Sequence, residues 1–435
     1  MMKIAILGSG GREHALAAVI AKSKKATELF CIGHNAGIAS LATMVSIPLG
    51  DHNGIAEFAV QHAIEFAVIG PDEALVGGLA DVLEAQGIPC FGPTKVASQL
   101  EGSKSYAKTF MVRNHIPTPS YQVFTDIVTA REHLSRSSFP LVVKADGLAL
   151  GKGVVIAETI EEAEEALQAM MVEKVFASSG QTVVIEEFVS GPEVSLLVLS
   201  DGTHVKPLVS CMDHKRAFDQ DQGPNTGGMG VIAPNPFYSE QVAAECMESI
   251  VLPTIAALKR EGSPFVGCLF FGLMLTPGGP VVIEYNCRFG DPEAEVALTL
   301  LEGDALEILL SCRNGTLDCV PVVSRKESAC SVTLASGGYP VSYEKGKAIT
   351  ISDLPQNTTL YHGGTTYDEQ GNLVTDGGRV LHVVGTGDTL AKAIHVAYKA
   401  VDAVTYEGKQ YRRDIGKRAL QEEEHGSSCI HNPGE

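Results

Sequence analysis

Short apolar runs alternate with amphipathic stretches through the first hundred residues: KIAILG at 3–8, REHALAAVIAKS at 12–23, FAVIG at 66–70, ALVGGLADVLEAQG at 74–87 and IPCFGP at 88–93. Strands that alternate with helices imply a parallel sheet covered by helices. Pro89, Gly92 and Pro93 punctuate the end of this stretch and place a boundary near residue 101. From 102 to 325 the pattern is mixed. Strand-like PLVVKA (140–145) and GVVIAE (153–158) precede TIEEAEEALQAMM (159–171), where Thr159 and Glu162 have the spacing of a capping box before a helix. Two further strand-like runs follow at 182–188 and 194–200. The Gly/Pro/Asn-rich stretch from Asp213 to Pro236 reads as a long loop, and a loop of that length inside a compact domain usually has a function. VGCLFFGLMLT (266–276) and PVVIEYN (280–286), separated by Pro277-Gly278-Gly279, read as a hairpin. From 326 to 420 come short strands and the helical run TLAKAIHVAYKAVDAV (389–404). The tail at 421–435 is too polar to order itself.

Length and charge narrow the picture. A chain of 435 residues exceeds what one core holds, which is roughly 250–300 residues. The N-terminus turns glycine-rich and charged at once, and no apolar run approaches the roughly 18 residues that span a bilayer, so the expectation is a cytoplasmic protein without a membrane partner. Ten cysteines without a CxxC pair read as reduced structural thiols. A formal charge of -19 argues against nucleic acid. It also means that any anionic substrate must be met by a local cluster of Arg, Lys and backbone N–H groups.

Two motifs fall short of familiar fingerprints. GSGGREHA at 8–15 carries Glu13 where a dinucleotide fold needs a third small residue. What remains is a glycine turn before a helix, in which Gly10, Gly11 and Arg12 could hold an anion. Gly147-Leu-Ala-Leu-Gly151-Lys152-Gly153 has one spacer too few for a Walker loop, lacks the following Ser/Thr and joins two apolar runs. It reads as a glycine-rich hairpin able to cover phosphates as a lid.

In PVVIEYNCRFGDPE, strand alternation puts Glu284, Asn286 and Arg288 on one face. A carboxylate beside an amide oxygen suits Mg²⁺, and Arg288 could grip a carboxylate or a phosphoryl group. Lys144 lies inside an apolar strand, where an ammonium calls for an anionic partner; Lys104 opens a helix. VVIEEFVSGPEVS ends a strand at Glu186 and Glu187 and then turns, leaving backbone groups free for an adenine and Glu193 for ribose hydroxyls. His214, Lys215 and Arg216 concentrate positive charge in an acidic chain. A solvated polar face or a plain turn is the bland alternative for each motif taken alone.

Taken in order, GSGGREHA, LEGSKSYAK, VVKADGLALGKGVV, IEEFVSGPEVS, DHKR with GPNTGGMG, EYNCRFGDPE, ASGGYP, GGRVL and RRDIG resemble the glycinamide ribonucleotide synthetase family of the ATP-grasp superfamily, over residues 8 to about 416. The resemblance implies a multidomain α/β and α+β fold. Its parts are a Rossmann-like N-terminal domain (1–101), an ATP-grasp core (102–325) with a lid at about 120–190, and a small C-terminal α+β domain (326–420). It implies ATP with Mg²⁺ or Mn²⁺, and glycine and 5-phosphoribosylamine as substrates, in a monomer or homodimer. Another ATP-grasp carboxylate-amine ligase is the alternative. Carried over by motif, Lys104, Lys144, Gly151, Lys152 and Gly153 contact phosphate. Glu186, Glu187, Phe188 and Val189 form the adenine hinge, Glu193 the ribose contact, and Glu284 with Asn286 the metal ligands. Arg288, Asp213 and Lys215 are the catalytic candidates, and Gly10, Gly11, Arg12 and Asp291 the substrate contacts. Two positions depart from the pattern: Glu295 stands where the family usually has Gln or Met, and the strand CLFFGLML offers no carboxylate.

Overall fold

The computed structural model describes residues 2–149 and 153–422. The first hundred residues form a parallel sheet in the order Thr43–Val45, Ala26–Ile32, Met2–Leu7, Phe66–Ile69, Cys90–Phe91. Its central strands are buried on both faces, which explains their continuous apolar runs. The run at 74–87 is not one helix. Gly78, at φ +94°, splits it into Asp72–Gly77 and Leu79–Ala85, because a left-handed residue ends one helix and only glycine takes that conformation without strain.

A lid sheet follows, antiparallel throughout, in the order Tyr121–Phe124, Val183–Glu187, Leu141–Ala145, Val154–Ala157. Thr159 caps the helix Ile160–Leu167 through the Glu162 N–H, while the Glu162 carboxylate reaches back to the Glu158 N–H at 2.8 Å. The Gly151 and Lys152 tip of the predicted hairpin lies outside the described residues, as does the chain beyond 422. A second antiparallel sheet, Val205–Pro207, Glu193–Asp201, Val266–Thr276, Gly279–Asn286, forms the floor. Backbone bonds from Val282 N–H to Pro117 O (2.9 Å) and from Leu275 N–H to Pro192 O (3.0 Å) fasten the lid's two connecting segments to that floor.

The floor's helix Glu240–Arg260 is long and apolar enough, by length and composition, to cross a membrane. Its Cys246, Ile250, Val251, Ile255 and Leu258 are instead buried in the same core as Phe265, Phe271 and Tyr285, which is what an amphipathic core helix does. The nine described cysteines carry no disulfide.

The stretch from Asp213 to Pro236 is more ordered than its composition predicts. Arg216–Phe218 pairs with Gln222–Asn225 as a ribbon. Met212–Asp213 and Gly230–Ala233 join Ser328–Ala335, Arg379–Gly387 and Thr358–His362 in a five-stranded sheet. The C-terminal sheet thus contains strands from the middle of the chain. Glycine and proline weaken a local strand signal, but pairing with a preformed neighbour supplies the missing stabilisation.

Candidate functional site

Between lid and floor, cationic side chains converge on one carboxylate. The floor strand Gly279–Asn286 carries a β-bulge, because Leu273 pairs with Val282 whereas Gly272 pairs with Glu284. The extra residue, Ile283, shifts the alternation. Beyond it Tyr285, Cys287 and Phe289 are buried, and Glu284, Asn286 and Arg288 share the opposite face. Lys215 Nζ lies 3.2 Å from Glu284 Oε1 and 3.7 Å from Glu193 Oε2. Lys215, outweighing burial, and then Lys144 and Lys104 hold the Glu284 carboxyl down at about 2. Lys215 is correspondingly pushed well above the usual ammonium range, chiefly by Glu284.

Lys144 has found the anionic partner its apolar strand requires. Its Nζ bonds Glu186 Oε2 at 2.9 Å and the Ile283 carbonyl, freed by the bulge, at 3.1 Å. Lys108 bonds the same Glu186 oxygen at 2.9 Å and Thr118 Oγ1 at 2.8 Å. The Glu186 side chain is therefore an internal counter-ion, and its other oxygen, buried, has no partner. Burial lowers Lys108 to about 8 despite Glu186. Lys104 opens the helix Lys104–Arg113 under the Ser103 cap and donates to the Gly147 carbonyl at 2.9 Å, fastening the base of the glycine-rich hairpin. At the other strand of that hairpin, Gly153 O accepts the Ala145 N–H at 2.8 Å. Glu187 is exposed and accepts from Ser120 Oγ at 2.8 Å; Phe188 and Val189 are half-buried where the chain leaves the lid.

The cationic cluster seen in the sequence at 214–216 does not stay together. His214 is buried, with Nδ1 3.1 Å from Gly230 O and Nε2 accepting the Gly416 N–H at 3.1 Å; burial and Arg412 lower it to about 4. Arg216 donates to Gly223 O at 2.8 Å and braces its own ribbon. Of the three, only Lys215 reaches the cleft, where it meets Glu284. The first arginine of the RRDIG segment is likewise internal: Arg412, 1% exposed, is held by Asp221 at 2.7 Å and Asp414 at 2.8 Å, whereas Arg413 is exposed.

Beyond Asn286 the site turns acidic. Arg288 Nη2 donates to Asn286 Oδ1 at 3.0 Å and pairs with Glu101 at 2.8 Å and Asp72 at 3.8 Å, tying the floor to the N-terminal domain. Burial raises Glu101 to about 7 against the pull of Arg288. Asp213 is pushed well up by burial and by Glu293, against Lys215; Glu293 accepts from Ser195 Oγ at 2.9 Å. Gly228, at φ +118°, sits where a Cβ would lie 2.4 Å from Pro292 Cδ and 2.8 Å from Asp213 Oδ1, so glycine lets this backbone touch the acids.

The N-terminal glycine turn reaches the same place, with its donors engaged. Glu13 takes the Gly10 N–H and Arg12 Nε, each at 2.6 Å, while Arg12 Nη1 donates to Phe289 O at 3.1 Å and the Arg12 N–H reaches Asp291 Oδ2 at 3.4 Å. Glu13, 1% exposed, fits beside the sheet because Gly70 has no side chain; a Cβ there would lie 1.9 Å from its oxygen. Arg379 donates to Asp291 O and Gly227 O at 2.7 Å.

Sequence reasoning missed Lys108, Glu101, Asp72 and Arg379. Lys108 was accessible in principle: it follows Lys104 by one helical turn and so shares its face. Glu101, Asp72 and Arg379 carry no local signal, because their partners are remote in the chain.

The comparisons with known proteins agree over the whole chain. Models of the phosphoribosylglycinamide synthetase N domain, ATP-grasp (A) domain and C domain match residues 2–101, 102–294 and 329–418. A phosphoribosylamine–glycine ligase of Rhizobium meliloti is 44% identical over 97% of this chain and 100% of its own length. A bifunctional purine biosynthetic protein of Schizosaccharomyces pombe is 44% identical over 95% of this chain, which spans only 53% of that longer protein. The solved structure of a phosphoribosylamine–glycine ligase from Thermotoga maritima superposes with a TM-score of 0.83 at 37% identity, covering 95% of this chain and 100% of that one.

Proposed function

The chain belongs to the phosphoribosylglycinamide synthetase family, and on that premise we propose that it ligates glycine to 5-phosphoribosylamine with ATP, through glycyl phosphate, in the cytoplasm. The glycine carboxylate attacks the γ-phosphorus and ADP departs. The amine of phosphoribosylamine then adds to the acyl carbon, phosphate leaves, and the nitrogen loses its proton. A free carboxylate is a poor acyl donor, which is why the phosphoryl group must go on first.

The observation that carries this reading is the convergence of Lys104, Lys144 and Lys215 on an ionised Glu284. An acidic chain gathers lysines in this way where a polyanion is to be held. Lys104, Lys144 and Gly153 cover phosphate, a role the family motif also gives Gly151 and Lys152. The main chain at Glu186 to Val189 meets the adenine, with the Glu186 side chain aligning Lys144, and Glu193 takes the ribose. Glu284 and Asn286 offer hard oxygens on one face, a donor set that fits Mg²⁺; bound there, the ion would neutralise phosphate charge. Lys215 and Arg288 set the position of these two oxygens. Gly10, Gly11, Arg12, Asp213 and Asp291 bound the substrate side, where closing the lid excludes water from the acyl phosphate.

Glycine labelled with heavy oxygen in its carboxylate tests the route. One labelled oxygen is expected in the released phosphate, and unlabelled phosphate under turnover would eliminate the acyl phosphate.

A further inference from the structure

Beneath the first turn of the helix Gly11–Ile20, two carboxylates and an imidazole meet with no hydrogen bond made between them. A carboxylate oxygen of Asp291, one of Glu295 and a ring nitrogen of His382 lie within 4.8 Å of one another. His382 Nε2 is 3.7 Å from Asp291 Oδ1 and 3.8 Å from Glu295 Oε1, and its Nδ1 is engaged with the Thr333 hydroxyl at 3.1 Å. Glu295 is 0% exposed. Neither of its oxygens has a hydrogen-bond partner, nor has Asp291 Oδ1; Arg379 Nη2 comes within 3.0 Å of that oxygen but is misaligned for a hydrogen bond. The glycine turn closes over the cluster, since a Cβ on Gly11 would fall 2.3 Å from Glu295 Oε1 and 2.5 Å from His382 Cδ2.

Two carboxylates with oxygens within 4.8 Å of one another, Glu295 fully buried and Asp291 with 14% of its side chain exposed, do not both stay ionised, and the proton goes to the one with fewer cationic partners. Burial would raise Asp291, but Arg379 and then His382 and Arg12 hold it at about 2. Burial raises Glu295 strongly and Asp291 adds to it; its own backbone N–H and then Arg379 oppose, and Glu293 pushes it further up. Tyr361, on the strand Thr358–His362, also feels its charge. The helix N-termini at Gly11 and Glu293 favour an anion, by less than the lost hydration disfavours it.

We infer that Glu295 is a neutral carboxylic acid in the working enzyme and a positioning residue, its proton shared with Asp291 so that this carboxylate stays aligned with the Arg12 N–H and Arg379. This rests on the proposed function, in which Asp291 borders the substrate. A divalent cation would satisfy the same acceptors, but the guanidinium beside Asp291 and the tightly closed Gly11 turn favour the smaller charge.

Infrared difference spectra of the whole enzyme, wild type minus E295Q, read the carbonyl stretch of a neutral carboxylic acid. That band is expected at neutral pH, and its absence overturns the inference. A stoichiometric divalent cation in purified wild type that is missing from E295Q overturns it in favour of a metal site. The melting temperature of E295Q relative to wild type is expected to climb as pH rises above about 4.3, because the folded wild type holds a proton that its unfolded chain releases; a constant gap contradicts this. E295L should raise KM for phosphoribosylamine about tenfold with a much smaller change in kcat, and E295Q should recover most of that loss. Equal damage in both variants would refute a hydrogen-bonding role. The spectral and melting arms hold whatever reaction is catalysed, so they fail separately from the ligase reading, which ADP release dependent on both glycine and phosphoribosylamine tests.

Discussion

The cleft around Glu284 and the junction of the N- and C-terminal domains use the same residue type to opposite ends. In the cleft Glu284 faces Lys215, Lys144 and Lys104 and stays ionised down to about 2. At the junction Asp213, Glu293 and Glu295 crowd together with fewer cations, and burial pushes all three upward. A carboxylate's charge is thus set by what surrounds it. In the proposed reading the first region holds anions and a metal, and the second holds protons and donates hydrogen bonds.

The sharpest way to break this contrast is Glu284→Gln, which keeps the shape and removes the charge. We expect kcat/KM in an ADP-release assay to fall about a hundredfold or more; near-normal turnover would deny Glu284 its place. Next comes Lys215→Ala, expected to cost about tenfold in the same assay, the scale of a lost charge-assisted hydrogen bond.

The junction has its own signature in acid. Burial lowers His14 to about 3, with His362 and His382 adding to the shift, and burial lowers His362 and His382 to about 4. Their folded values lie below the unfolded one, so the unfolded chain binds more protons. The histidines' share of the stability should therefore be full above about 6.5 and decline below it, by up to about 1.4 kcal/mol per pH unit for each, while the upward-shifted Asp213, Glu293 and Glu295 act in the opposite sense. The melting temperature of His362→Gln relative to wild type, from neutral pH down to about 5, isolates one histidine: the difference should climb as pH falls, and a constant difference would mean that His362 is not held neutral. The smallest effect is expected from Arg216→Ala. It braces a ribbon outside the cleft, so kcat/KM should stay within about twofold of wild type; a loss equal to that of Lys215→Ala would restore the cluster that the sequence suggested.

Much of the fold was legible because periodicity is local. The strands at 2–7, 66–69 and 266–286 and the helices at 104–113 and 390–401 follow from apolar spacing, capping residues and turns within a few residues. The stretch from Asp213 to Pro236 was not legible, because its strand Gly230–Ala233 exists through pairing with the remote Ser328–Ala335 and in turn pairs with Met212–Asp213. The face shared by Glu284, Asn286 and Arg288 was visible as alternation, whereas the Ile283 bulge was not.

The sequence by itself determined which residues bear charge, where helices begin and which side chains share a strand face, since these follow from chain geometry over short distances. Only the tertiary structure decided that Lys144 and Lys108 share Glu186, that Arg288 reaches Glu101 and Asp72, and that Glu295 lies without a donor beneath Gly11. Electrostatic partnership depends on distance and on the loss of water, and both are set by how remote segments pack.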